Sequence, residues 1–97
     1  MLPYRVERIE LRAEKTGRVQ CQLLAAGGRP VAGPHVLRLE VSDPRGRAVE
    51  HYAQNVVAPS GKAAAVIPFA LSDPPGHWTI TVRDVATGTK GSTSIER

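Results

Sequence analysis

Only one cysteine occurs in the chain, Cys21, so no intrachain disulfide staples it. Aromatic residues make up 4% of the sequence. A core, if there is one, must therefore come from Val, Leu, Ile and Ala, with Trp78 and Phe69 as its few large pieces. No run of about 18 apolar residues exists, which excludes a membrane-spanning helix of the usual kind. Met1 is followed at once by Leu2, Pro3 and strand-like sequence, without a charged stretch leading into an apolar block, so a signal peptide is not expected within these residues. That abruptness suggests a domain cut from a longer protein that carries any targeting segment.

Charge of one sign is not concentrated either. The formal net charge is +4, and ten of the 13 basic residues are arginine, yet acidic residues interleave with them along the chain. No basic stripe forms, and few aromatics sit among the arginines to stack on bases. Nucleic acid is therefore not expected as a partner, and solvated strand faces explain the charges.

What the sequence has in quantity is alternation broken by Gly, Pro and Asp. Ninety-seven residues are enough for a single domain, residues 1–97. Strand-like runs fall at 4–11, 18–24, 35–41, 48–57, 62–71, 77–85 and 91–97, the fourth less regular than the others. In the third, Leu37, Leu39 and Val41 point one way and Val36, Arg38 and Glu40 the other. In the sixth, Trp78, Ile80 and Val82 oppose Thr79, Thr81 and Arg83. Pro68 cannot donate to a ladder, which predicts an edge position or a bulge late in the fifth run. Residues 25–34 are rich in Gly and Pro and predict a loop. Seven short strands at roughly ten-residue spacing predict an all-β, immunoglobulin-like antiparallel sandwich.

Two turns share a pattern, Asp43-Pro44-Arg45-Gly46 and Asp73-Pro74-Pro75-Gly76. Asp at the first position can accept backbone N–H groups, Pro presets φ at the second, and Gly closes the fourth, as in a type I turn. The alternative for Asp43, Asp73 and Asp84 is calcium, but calcium takes six to eight oxygens from clustered ligands. Single carboxylates at positions 43, 73 and 84 suit turn geometry better.

Catalytic patterns are weak. Cys21 shares a face with Val19 and Leu23, so it reads as core rather than nucleophile. His35, His51 and His77 fit no short zinc spacing and read as surface histidines at or near strand starts. No phosphate loop or nucleophile elbow is present, and the glutamates suggest no acid/base couple. The reading is of a chain that is not an enzyme, with no catalytic, cofactor-binding or metal residue. Trp78, in phase with Ile80 and Val82, reads as core. Tyr52, with its neighbour His51, is the candidate for contact with a ligand, a carbohydrate being the natural partner of an exposed aromatic.

The segment Val36-Leu-Arg-Leu-Glu-Val-Ser-Asp-Pro-Arg-Gly, then His51-Tyr52, then Ile67 through Gly88 resembles bacterial immunoglobulin-like modules. Such modules stand at the ends of large, often secreted proteins, including glycoside-hydrolase-like proteins of the β-galactosidase kind. Gly76-x-Trp78-Thr79-x-x-Val82 is also similar to the strand start of macroglobulin-like domains. The likeness covers residues 36 to 95 and specifies strands and turns, not a reaction. It implies an accessory module, extracellular or in the cell envelope, that packs on neighbouring domains of its parent chain. The alternative is a carbohydrate-binding module. The Ser/Thr-rich last run has little to stop it pairing with another chain, so a weak homodimer through an edge strand is a further expectation.

Overall fold

A computed structural model describes residues 6–29, 31, 33–70 and 72–97. Tyr4 and Arg5 of the first run, Pro30 of the loop and Leu71 of the fifth run lie outside the described residues. Among the described residues seven strands follow one another: β1 (Arg8–Ala13), β2 (Arg18–Leu24), β3 (His35–Ser42), β4 (Gln54–Ala58), β5 (Lys62–Val66), β6 (His77–Asp84) and β7 (Lys90–Glu96). They form two antiparallel sheets, a three-stranded one in the order β1-β2-β5 and a four-stranded one in the order β4-β3-β6-β7. The fold is an immunoglobulin-like antiparallel β-sandwich. In the constant-type arrangement the fourth strand joins the first, second and fifth. Here it pairs with β3 instead, Val36 opposite Val57 and Arg38 opposite Asn55.

The alternation read from the sequence sets what faces the core. Along β3, His35, Leu37, Leu39 and Val41 are buried, while Val36 and Glu40 are exposed. Along β6, Trp78, Ile80, Val82 and Asp84 are buried. Val19 and Leu23 of β2 and Ile67 complete the centre of the interior. Each fully buried aliphatic side chain contributes about 1.5–3 kcal/mol relative to an exposed one, so this facing set supplies the main drive to fold.

The two sheets are joined along both seams. At one, Gly91 of β7 lies so close to β1 that a Cβ there would come within 2.5 Å of the Ile9 carbonyl oxygen. At the other, Gln54 Nε2 of β4 donates to the Val66 carbonyl of β5 at 3.2 Å. The β1–β2 hairpin is tied in by Gly17, whose φ of 96° suits glycine and whose carbonyl accepts the Ile67 N–H at 2.8 Å.

Two runs fold differently from expectation. In the fourth, Ala48 makes only an isolated bridge to Ser42, and Glu50–Tyr52 forms a short 3-10 turn before β4 begins at Gln54. The fifth run ends as a strand at Val66. Ile67 keeps the strand's phase and stays buried, but Pro68 follows with no N–H to offer, and the segment leaves the ladder.

Candidate functional site

Polar chemistry gathers at three places. The first surrounds the connection between β5 and β6. The 3-10 turn Glu50–Tyr52 drops the Tyr52 ring into the interior, 4% exposed. Its hydroxyl donates to Asp73 Oδ2 and accepts the Ala70 N–H at 3.1 Å. The same N–H also reaches Asp73 Oδ2, at 2.7 Å. Edge-on contacts link Phe69 to Tyr52 (centroids 5.4 Å apart) and to Trp78 (5.1 Å). Trp78 Nε1 donates to the Pro74 carbonyl at 3.0 Å, and Gly76 and Arg97 exchange backbone hydrogen bonds of 3.0 and 2.9 Å. The Arg97 guanidinium stacks 4.2 Å above the Phe69 ring, with Nη1 3.9 Å from Asp73 Oδ2. That nitrogen is buried without a hydrogen-bond partner, so the ring face and the nearby carboxylate are what stabilise its charge.

These contacts set the ionisation of the pair. The Tyr52 hydroxyl bond, helped by the Ala70 N–H and the Arg97 charge, holds the Asp73 carboxyl below its ordinary range. Burial, reinforced by the bond to Asp73, pushes the Tyr52 phenol above its ordinary value. The two are one structural couple, a carboxylate and a phenol that keeps its proton.

Here the two Asp-Pro turns part company. Asp43 Oδ1 accepts the N–H groups of Arg45 and Arg47, both at 2.9 Å, and so caps its own turn as the sequence leads one to expect. Asp73 does not. The residue two positions on is Pro75, which has no N–H, so the carboxylate turns back to Ala70 and Tyr52.

The second cluster was not foreseen. His35, expected at the surface, is buried, and its Nδ1 lies 3.0 Å from Asp84 Oδ1, itself fully buried. The opposite carboxylate oxygen accepts the Thr87 hydroxyl at 2.6 Å and the Thr87 N–H at 3.3 Å. Thr89 Oγ1 then donates to the Val6 carbonyl at 2.6 Å. The residue types are those of a hydrolytic triad, but the order is wrong. A nucleophile must touch the histidine, whereas Thr87 and His35 both touch Asp84. The arrangement holds the β6–β7 turn to β3 and to the segment before β1. Phase was the available signal: His35 is in step with Leu37, and Asp84 with Val82.

The third is Cys21, half-buried, its Sγ 3.6 Å from the Ala63 carbonyl. Burial pushes its thiol up, away from the thiolate a nucleophile needs.

Of the two residues singled out for ligand contact, Tyr52 faces inward with its hydroxyl engaged. His51 is exposed and rests against it, ring centroids 4.3 Å apart. The pair thus offers a ligand one imidazole rather than an aromatic platform. Trp78 is 1% exposed and Phe69 half-buried. Among the described residues no three His, Cys, Asp or Glu side chains come together as a metal site, and Asp43, Asp73 and Asp84 serve separate turns. An open groove of about 570 Å³ crosses the outside of the three-stranded sheet, lined by Glu10, Arg12, Gln20, Gln22 and Lys62 among others, without an aromatic. Among the described residues no helix is long and apolar enough to cross a membrane.

No protein-family model matches the chain, and no curated protein matches it in sequence.

Proposed function

We propose that the chain is a non-catalytic accessory domain, a structural or interaction module that orients or spaces neighbouring domains of a longer protein. One observation carries this reading: the groups with chemical potential are committed to holding the fold. Tyr52 and Asp73 fix the β5–β6 connection, and His35, Asp84 and Thr87 fix the β6–β7 turn. His35, Tyr52 and Asp84 are buried, and the Asp73 carboxylate and the Thr87 hydroxyl are hydrogen-bonded to them. Following the resemblance to bacterial immunoglobulin-like modules, the parent is a large secreted or envelope protein, glycoside-hydrolase-like in one version of the proposal.

The isolated domain should unfold in one cooperative step and leave chromogenic ester, glycoside and peptide substrates unchanged. Deleting it from the parent should lower that protein's melting temperature while preserving its chemistry. Turnover by the purified domain, lost in Asp84→Asn without loss of fold, would overturn the proposal. Quenching of Trp78 fluorescence by a polysaccharide would favour the carbohydrate-binding reading instead.

A further inference from the structure

The outer face of the four-stranded sheet is ordered in rows across the strands. Register places Asn55, Arg38, Arg83 and Lys90 directly opposite one another, one from each of β4, β3, β6 and β7. At about 4.8 Å between strands the row is about 14 Å long. Three of its four members are cations, and like charges directly opposite in a sheet repel. Arg38 donates to Asn55 Oδ1 at 3.1 Å, but none of the three cations forms an ion pair among the described residues. The next row along the strands, Glu40, Thr81 and Ser92, has one carboxylate, at Glu40, diagonal to Arg83.

On the other side lies an apolar row. Val36 faces Val57, and Val85 donates its backbone N–H to the Val36 carbonyl at 3.1 Å. All three are exposed, by 47%, 61% and 55%. Isolated exposed valines need no explanation, but three side by side against a cationic row without an ion pair form a two-part surface.

We propose that this face docks an acidic protein surface that also presents apolar side chains. The inference rests on the interaction-module reading and names the partner's chemistry. Charge complementarity selects it. Carboxylates opposite Arg38, Arg83 and Lys90 relieve their repulsion, and the valine row gains from apolar cover. A linear anionic polysaccharide would use the cations and leave the valines wet. A nucleic acid would find no exposed ring to stack on among these residues. A second copy fits poorly, because the other outer face carries Arg8, Arg12, Arg18 and Lys62 against Glu10, and the whole chain is +4.

Arg83→Glu tests this with opposite effects on two readouts. In the free domain the new carboxylate stands between Arg38 and Lys90, so the melting midpoint rises by about 2–6 °C at low salt, and the gain shrinks at high salt. Binding of a short fluorescent peptide of alternating Glu and Val, measured by anisotropy, weakens about tenfold or more in the same variant. Val57→Ser also weakens the peptide. Amide shifts of the wild-type domain with peptide map to the outer positions of β3, β4, β6 and β7. A midpoint that falls in Arg83→Glu, or peptide affinity that does not change, overturns the proposal. So does heparin or a thymidine oligonucleotide that outbinds the peptide and ignores Val57→Ser, or sedimentation showing a dimer that Arg83→Glu dissolves. A shift map silent on this face removes the docking surface alone. Substrate turnover removes the non-catalytic reading and leaves the map intact.

Discussion

Polar side chains in and near the interior hold segments that the strand ladders leave out. Removing one partner of the His35–Asp84 pair takes a buried hydrogen bond of 3.0 Å from the other, at a cost of about 1–3 kcal/mol. His35→Ala and Asp84→Ala should therefore each destabilise strongly, while the double variant costs clearly less than their sum. Urea denaturation of the four proteins measures the coupling, and simple additivity would mean the contact contributes nothing. Asp73 and Tyr52 set a pH window. The carboxyl is held below its ordinary value of 3.8, so the folded state resists protonation; its contribution is complete above about pH 4 and disappears as pH falls through the lowered value. The phenol is held above its ordinary 10.0, so its contribution is complete below about pH 10 and disappears as pH rises through the raised value. Melting midpoints across pH should fall at both ends, with the acid fall reduced in Asp73→Asn and the alkaline fall reduced in Tyr52→Phe. At this scale the sequence was legible in its period: Trp78, Ile80 and Val82 face inward as their alternation requires. The same alternation already contained His35 and Asp84, but their polarity suggested solvent, and the pairing across β3 and β6 helps to make burial tolerable for both.

Elements hold together where backbones approach. Gly91 admits β1 against β7, and a methyl group there would collide with backbone rather than with a flexible side chain. Gly91→Ala should cost about 1–3 kcal/mol by forcing β1 and β7 apart, in the manner of overpacking. Chemical denaturation gives the loss, and an unchanged midpoint would show that the seam yields freely. Strand limits were readable where alternation ran uninterrupted: β2 spans Arg18–Leu24 as the pattern has it, and β3 and β6 differ from it by one residue. They were obscured where phase outlasts pairing. Ile67 and Phe69 continue the pattern of Ala63 and Ala65 beyond the ladder, because the Tyr52 hydroxyl and the Asp73 carboxylate satisfy the Ala70 N–H in place of a neighbouring strand. The switch of β4 to the side of β3 has no counterpart in local sequence, since it depends on which edge the chain reaches after the 3-10 turn.

Across the whole molecule, two sheets close over an aliphatic interior, and hydrogen-bonded side chains clamp the segments that the ladders leave out. Amide hydrogen exchange across the chain tests that division directly. The account predicts slowest exchange in the central strands at Leu37, Leu39, Ile80 and Val82, and marked protection at Ala70, a residue outside every strand, which Tyr52→Phe reduces. Loop-like exchange at Ala70 in the wild-type domain, or β3 and β6 exchanging as fast as the edge strands, would contradict it.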